Sequence, residues 1–152
     1  MHISDGDRRI LRVLQSEGRI SASELARRIG MSETSCLRRM KSLEEAGVIL
    51  GYQAIVDQRQ IGFSMSAIIM ISTNQRTETD RKDLLSAIEG DPQIVACAGG
   101  TGNHDFIIEA VVRDIDDLSD LTLRKILALP SVTSISTSVV VKWIKRNAPL
   151  PV

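Results

Sequence analysis

The chain opens with apolar residues at helical spacing and changes, beyond residue 60, to shorter apolar runs of strand character. Ile10, Leu11, Val13 and Leu14 form one side of a helix that Ser4 or Asp5 can cap. Ile20, Leu25, Ala26 and Ile29 form one side of a second. Ser21 stands three residues before Glu24, a capping-box spacing that predicts a helix from about Ala22, and Gly30 is placed to stop it in the left-handed conformation. Ser32 then caps a third helix, whose expected buried stripe is Cys36, Leu37, Met40 and Leu43. These three helices, from about residue 6 to residue 46, are followed by Gly47-Val48-Ile49-Leu50-Gly51-Tyr52 and an extended segment over 53–56. The polar run Asp57-Gln58-Arg59-Gln60 marks a boundary.

In the second part, Phe63 to Thr73 reads as a strand, and Asp80 to Glu89 as a helix with Leu84, Leu85 and Ile88 inward, broken by Gly90-Asp91-Pro92. Strands follow over Ile94 to Gly99 and Phe106 to Val112, joined by the glycine-rich turn Gly100-Thr101-Gly102-Asn103. A helix over Asp116 to Leu129, with Leu118, Leu121, Ile126 and Leu129 as candidate core residues, stops at Pro130, and a last strand runs from Thr133 to Trp143. This βαββαβ order predicts an α+β domain, a four-stranded antiparallel sheet with both helices on one face. Side chains alternate across a strand, yet Ala67-Ile68-Ile69-Met70-Ile71 and Val139-Val140-Val141 are apolar on both sides. The helices cover one face only, so the other is expected to be buried against a second copy in a homodimer.

Charge changes the picture at the third helix. Its outward face begins with Thr34, Ser35, Arg38 and Arg39. A helix that enters a DNA major groove needs first turns without large aliphatic side chains, and donors long enough to reach base edges and phosphates. Residues 19–43 hold Arg19, Arg27, Arg28, Arg38, Arg39 and Lys41 against Glu24 and Glu33, while the whole chain balances 19 basic with 19 acidic residues. A neutral molecule with one basic patch can be steered onto a polyanion without binding everything acidic. The candidate contacts to double-stranded DNA are therefore Ser21, Ser32, Thr34, Ser35, Arg38, Arg39 and Lys41, with the two arginines of the doublet dividing between bases and phosphates. A twofold dimer would present paired recognition helices to two half-sites. An arginine doublet also suits a plain solvated face, and helix-turn-helix geometry occurs in folds that never touch nucleic acid. The alternative is an effector-binding oligomeric module that recruits protein rather than DNA.

Other classes fare worse. One Trp, one Tyr and two Phe are too few for a platform that stacks single-stranded bases. Cys36 and Cys97 lie far apart without C-x-x-C spacing and read as core thiols of a reducing compartment, with no metal site. The start, MHISDGDRRI, lacks the apolar stretch of a signal peptide, and no run reaches membrane-spanning length, so a soluble cytoplasmic, nucleoid-associated protein is expected. The histidines are His2 and His104, neither with thiol, hydroxyl and acid neighbours in a nucleophile arrangement, and Gly99-Gly100-Thr101-Gly102 lacks the Gly-Lys-Ser/Thr of a phosphate loop. No catalytic residues and no cofactor are expected.

Nearly end to end, the chain resembles the Lrp/AsnC family, the leucine-responsive or feast/famine transcription regulators. Asp7-Arg8-Arg9-Ile10-Leu11 is similar to the family's opening helix, Gly18-Arg19-Ile20-Ser21 to its approach to helix two, and Ser32-Glu33-Thr34-Ser35-Cys36-Leu37-Arg38-Arg39 to its recognition helix. Gly47 to Tyr52 matches the exit from the DNA domain, and Gly102-Asn103-His104-Asp105-Phe106 sits where the family usually has Gly-Asp-Tyr-Asp-Tyr. The resemblance implies a winged-helix-like helix-turn-helix domain over 1–52, a linker strand or hinge over 53–60, and a ferredoxin-like effector-binding and oligomerisation domain over 61–152. It implies dimers that assemble to tetramers or octamers, and a small effector, commonly an amino acid, bound between regulatory domains. A zwitterion needs amide donors for its carboxylate and an acceptor for its ammonium, and glycines let backbone approach a ligand closely. Gly100, Gly102 and Asn103 are the candidate donors and Asp105 the candidate acceptor, with Ser134, Ser136 and Thr137 near the family's ligand-contacting last strand. A Gly-Asn pair between strands is equally what a tight hairpin requires. Asn103 replaces the family's acid and His104 its aromatic ring, which makes any pocket more polar and gives it a titratable group.

Overall fold

The computed structural model describes residues 3–74 and 77–152, so His2 lies outside the described residues. The chain divides into two compact bodies, Met1–Val56 together with Lys145–Val152, and Asp57–Ile144.

The first body holds α1 (Asp5–Leu14), α2 (Ala22–Ile29) and α3 (Glu33–Glu45). Each starts on a serine in extended conformation, Ser4, Ser21 and Ser32, whose hydroxyl accepts from the third residue beyond it. At Ser4 the box closes, because Asp7 reaches back to the Ser4 amide. At Ser21 the structure keeps half of the expected box: Glu24 gives its amide to Ser21, but its carboxylate turns along the helix to Arg27 and Arg28. Two guanidinium groups outbid one backbone amide for the same oxygens. Gly30 ends α2 at φ 65°, ψ 46°, and Arg9 Nη1 adds a 2.9 Å bond to the Ile29 carbonyl. Ile10, Leu25, Cys36 and Leu43 are fully buried together, with Leu11, Ala26 and Ile29 around them, each large side chain worth about 1.5–3 kcal/mol of transfer free energy. Leu37 departs from the expected stripe and is 48% exposed. It lies about 100° around the helix from Cys36, off the line through Cys36, Met40 and Leu43. The last residues of the chain join this body: Arg12 Nε donates to the Val152 carbonyl at 2.6 Å, Gln15 exchanges hydrogen bonds with Leu150, and Val152 packs on the helical core.

The second body contains β1 (Met65–Thr73), α4 (Glu78–Gly90), β2 (Ile94–Gly99), β3 (Phe106–Val112), α5 (Ile115–Ser119), a π-helical continuation over Asp120–Ile126, and β4 (Val132–Val139). All pairings are antiparallel in the order β2-β3-β1-β4. Leu84 and Ile88 of α4 and Leu118, Leu121 and Ile126 of the second helix pack on Ala67, Ile69, Ile71, Ile108, Ala110 and Val112 of one sheet face, which is the ferredoxin-like α+β arrangement. The π winding replaces an expected continuous α-helix for a packing reason. Leu121 and Ile126 are five residues apart, and a wider turn brings both onto the sheet, with Thr122 Oγ1 donating to the Leu118 carbonyl at 2.8 Å.

The other face is less uniformly apolar than the sequence predicts. Register places Ala96 and Ala98, Ile107 and Glu109, Ile68 and Met70, and the stripe Ser134, Ser136 and Ser138 on it. β4 ends at Val139, opposite Ala67 and short of the expected Trp143; Val140 makes a last bond to the Ser66 carbonyl and Val141 is 92% exposed. At one end Ser66 and Val111, paired in register, are buried, and Ser66 bonds to Gln58 of the preceding turn. Cys97, expected in a core, is exposed on the edge strand β2, whereas Cys36 is buried. Among the described residues no helix is long and apolar enough to cross a membrane.

Candidate nucleic-acid interface and effector loop

The Ser32 cap aims the first turns of α3 outward. Thr34 and Arg38 are exposed, Ser35 is half-buried, and Ser21 and Ser32 are exposed at the N-termini of α2 and α3. Arg38 has no acidic partner among the described residues, while Lys41 makes a long 3.6 Å pair with Glu45. Arg27 and Arg28 are held by Glu24, and Arg28 also by Glu17. Those two guanidinium groups hold the Glu24 carboxyl down at about 2, so both pairs persist at neutral pH. Arg39 is placed differently from its neighbour. Its Nη1 donates to Asp7 Oδ1 at 2.9 Å and to Ser4 Oγ at 3.1 Å, across to the start of α1. A groove of about 490 Å³ beside it is lined by Ser4, Asp7, Arg38, Arg39, Lys41, Ser42 and Glu45.

In the second body, the loop between β2 and β3 is tied to the end of β1. The Asp105 amide donates to the Ile71 carbonyl at 2.8 Å, and its carboxylate accepts from the Thr73 amide at 2.6 Å and the Thr73 hydroxyl at 2.9 Å. Ser72 Oγ lies 3.2 Å from both the Asn103 carbonyl and His104 Nδ1. The Gly100 amide donates to the Asp105 carbonyl, closing the loop at its neck, and Gly102 has a φ of 129° that suits glycine. Ser72 pairs with Ser134 and Met70 with Ser136, so these two serines share the open face next to the loop. Thr137 pairs with the buried Ile69 and lies on the opposite, helix-covered side of β4, away from them.

Comparison with known proteins is decisive. The description "Lrp/AsnC ligand binding domain" matches residues 66–150, and "Winged helix-turn-helix DNA-binding" matches residues 5–49. The chain belongs to the Lrp/AsnC family of transcription regulators. This Lrp/AsnC protein is 30% identical over 150 residues to the transcriptional regulator AzlB of Bacillus subtilis, covering 99% of the chain and 96% of that relative. It is 31% identical to the leucine-responsive regulatory protein of Rhizobium meliloti, over 91% of the chain and 89% of that protein. Among solved structures, a Neisseria meningitidis transcriptional regulator in complex with L-methionine superposes with a TM-score of 0.94 at 31% identity, covering 99% of this chain and 97% of its own. A feast or famine regulatory protein of Mycobacterium tuberculosis, also complexed with L-methionine, gives 0.85 at 26% identity, covering 95% and 96%. The family consists of regulators rather than enzymes, and the chain carries both a DNA-binding helix-turn-helix domain and a ligand-binding domain.

In this Lrp/AsnC chain the expected DNA-facing residues fall into two groups. Ser32, Thr34, Ser35, Arg38 and Lys41 share the exposed part of α3, with Ser21 at the head of α2, whereas Arg39 is engaged by Asp7 and Ser4. Sequence reasoning missed Asp7 and Ser4 as partners of the arginine doublet, although Asp7 is an acid on the otherwise apolar side of the first helix. It also missed Ser72 and Thr73, which hold the loop. The signal for these two was the abrupt change from Ile71 to Ser72-Thr73-Asn74 at the end of an apolar strand.

Proposed function

We propose that this regulator reads duplex DNA with the N-terminal turns of α3, Arg38 supplying the principal base or phosphate contact and Thr34, Ser35 and Lys41 the surrounding ones. Ser21 and Ser32 lie at helix N-termini, where backbone amides favour a phosphate. The observation that carries the assignment is that Arg38, exposed on the outward turn of a capped helix, has no acidic partner among the described residues. Its effector is an amino acid, the class found in the two solved relatives, bound at the loop of Gly100, Gly102, Asn103, His104 and Asp105 with Ser134 and Ser136 beside it. Thr137, on the other side of the strand, takes part only through a second loop or subunit. The open sheet face, with Ile107 44% exposed and Ile68 and Met70 half-buried, supports a homodimer that assembles further, at work on cytoplasmic nucleoid DNA.

The test is duplex binding as a function of salt. Wild type loses affinity steeply as salt rises, and Arg38→Ala costs about 1–3 kcal/mol on the cognate duplex if it reads a base, or flattens the salt slope by about 0.9 if it neutralises a phosphate. Unchanged binding by Arg38→Ala removes α3 from the interface. Repeating the titration with a panel of amino acids identifies the effector by the shift in affinity or in solution mass.

A further inference from the structure

Arg38 and Arg39 are neighbours in sequence and opposites in environment. The Arg39 guanidinium lies between α3 and the first turn of α1, where one nitrogen, Nη1, bonds both Asp7 Oδ1 and Ser4 Oγ. Asp7 is nearly sealed, its side chain 8% exposed, and it is bound on its other oxygen by the Ser4 amide and hydroxyl at 2.9 and 2.5 Å. Arg39 Nε is buried without a hydrogen-bond partner among the described residues, so the fork cannot be presented whole to a base edge. The guanidinium packs close over Gly6. A Cβ there would stand 3.4 Å from Arg39 Cζ and 3.3 Å from Met31 Cε, at the edge of tolerable packing.

We infer that Arg39 is a positioning residue rather than a DNA contact: with Asp7 and Ser4 it clamps the recognition helix to the start of α1 and so sets the angle at which Arg38 and Thr34 meet DNA. The inference rests on α3 being the reading helix. It refines that reading, because it divides the doublet into one arginine that reads and one that holds. An ion pair with one sealed partner suits such a role, since removing Arg39 leaves the Asp7 carboxylate charged and shut away from water, and removing Asp7 frees a guanidinium that is 34% exposed.

Charge and position predict opposite signs for Asp7→Asn. Removing an acid beside a groove that holds Arg38 and Lys41 should tighten DNA binding if Asp7 acts through charge alone. If it positions the helix, affinity for the cognate duplex falls on the order of tenfold or more, and the ratio of cognate to scrambled affinity falls with it. The experiment measures both affinities against salt for wild type, Asp7→Asn, Arg39→Gln, the double variant and Arg39→Lys, with active protein titrated so that unfolded material does not enter Kd. Arg39→Gln should weaken cognate binding and keep the wild-type salt slope, and the double variant should be no weaker than the worse single one. Arg39→Lys should restore most of the affinity, because a single nitrogen makes both bonds. The inference is overturned by tighter binding of Asp7→Asn, by a slope flattened by about 0.9 in Arg39→Gln, or by failure of Arg39→Lys to rescue. Should Asp7→Asn not fold, the contrast between Arg39→Lys and Arg39→Gln decides. Arg38→Ala is the control: if it binds like wild type, α3 is not the reading helix, whereas a weak Arg38→Ala beside a tight Asp7→Asn sinks the clamp alone.

Discussion

The proposed DNA-reading face and the proposed effector loop are built by contrasting means. On α3 the functional side chains come from one short stretch, and a local hydrogen bond from Ser35 to Ser32 sets their starting point. The loop from Gly100 to Asp105 takes its shape from Ile71, Ser72 and Thr73, some 30 residues earlier. A helical site is preformed once its helix is packed. A loop site exists only while tertiary bonds hold it, which makes it the better place for a ligand to act.

The largest expected effect tests whether these two constructions fail separately. Leu43 is fully buried in the helical core and Ile108 in the sheet core, so truncating either to alanine should cost about 2–5 kcal/mol in its own body. Leu43→Ala should lower DNA affinity while an amino-acid titration still gives heat, and Ile108→Ala should do the reverse. Calorimetric titration of both variants checks this. Loss of both activities in both variants would mean that the bodies fold as one cooperative unit.

A smaller effect separates two roles for Asp105. Its carboxylate already holds the amide and hydroxyl of Thr73, and removing it strands those donors at a cost of about 1–3 kcal/mol, toward the low end because the residue is exposed. Asp105→Ala should therefore weaken effector binding whether the carboxylate meets an ammonium or only anchors the loop. Thr73→Val decides between them. If Asp105 works as an anchor, Thr73→Val also reduces the heat of amino-acid binding; if it works by contact, Thr73→Val binds as wild type does.

How much of this was legible in the sequence follows the same division. Local signals carried through: the caps at Ser21 and Ser32, Ser4 as one of two candidates at the first helix, the Gly30 stop, the core positions of α1 and α2, and the βαββαβ order that forms the ferredoxin-like sheet. What depended on distant partners did not. Arg39 could not be told from Arg38 without Asp7 beside it, and Glu24 could not be seen to prefer Arg27 and Arg28 to the backbone of Ser21. Alternation within one strand was readable, so Thr137 could have been separated from Ser134 and Ser136 by parity alone. The return of Lys145–Val152 to the helical body had no local signature, since Leu150 and Val152 are the large apolar residues of a short tail that also holds two prolines and three polar residues.

The smallest effect concerns the charge that surrounds the reading helix. Glu24 occupies both Arg27 and Arg28, and its carboxyl is held at about 2 by those guanidinium groups, well below the ordinary glutamate value near 4.3. A depressed carboxylate contributes stability above its unfolded value and loses it only as pH falls toward the folded one, so between pH 5 and 8 the pairs do not titrate. Exposed pairs of this kind contribute little to stability, and Glu24→Gln should leave the melting temperature of the helical body almost unchanged. It should nonetheless release Arg27 toward solvent beside the reading face and leave Arg28 with Glu17 as its remaining acidic partner. If DNA phosphates pass within reach of α2, affinity rises modestly at low salt and the salt slope steepens by about 0.9 for each arginine recruited, an advantage that screening removes at high salt. An unchanged slope would confine the phosphate contacts to α3 and the helix starts, and would make the Glu24 cluster a local clasp on α2 with no part in binding.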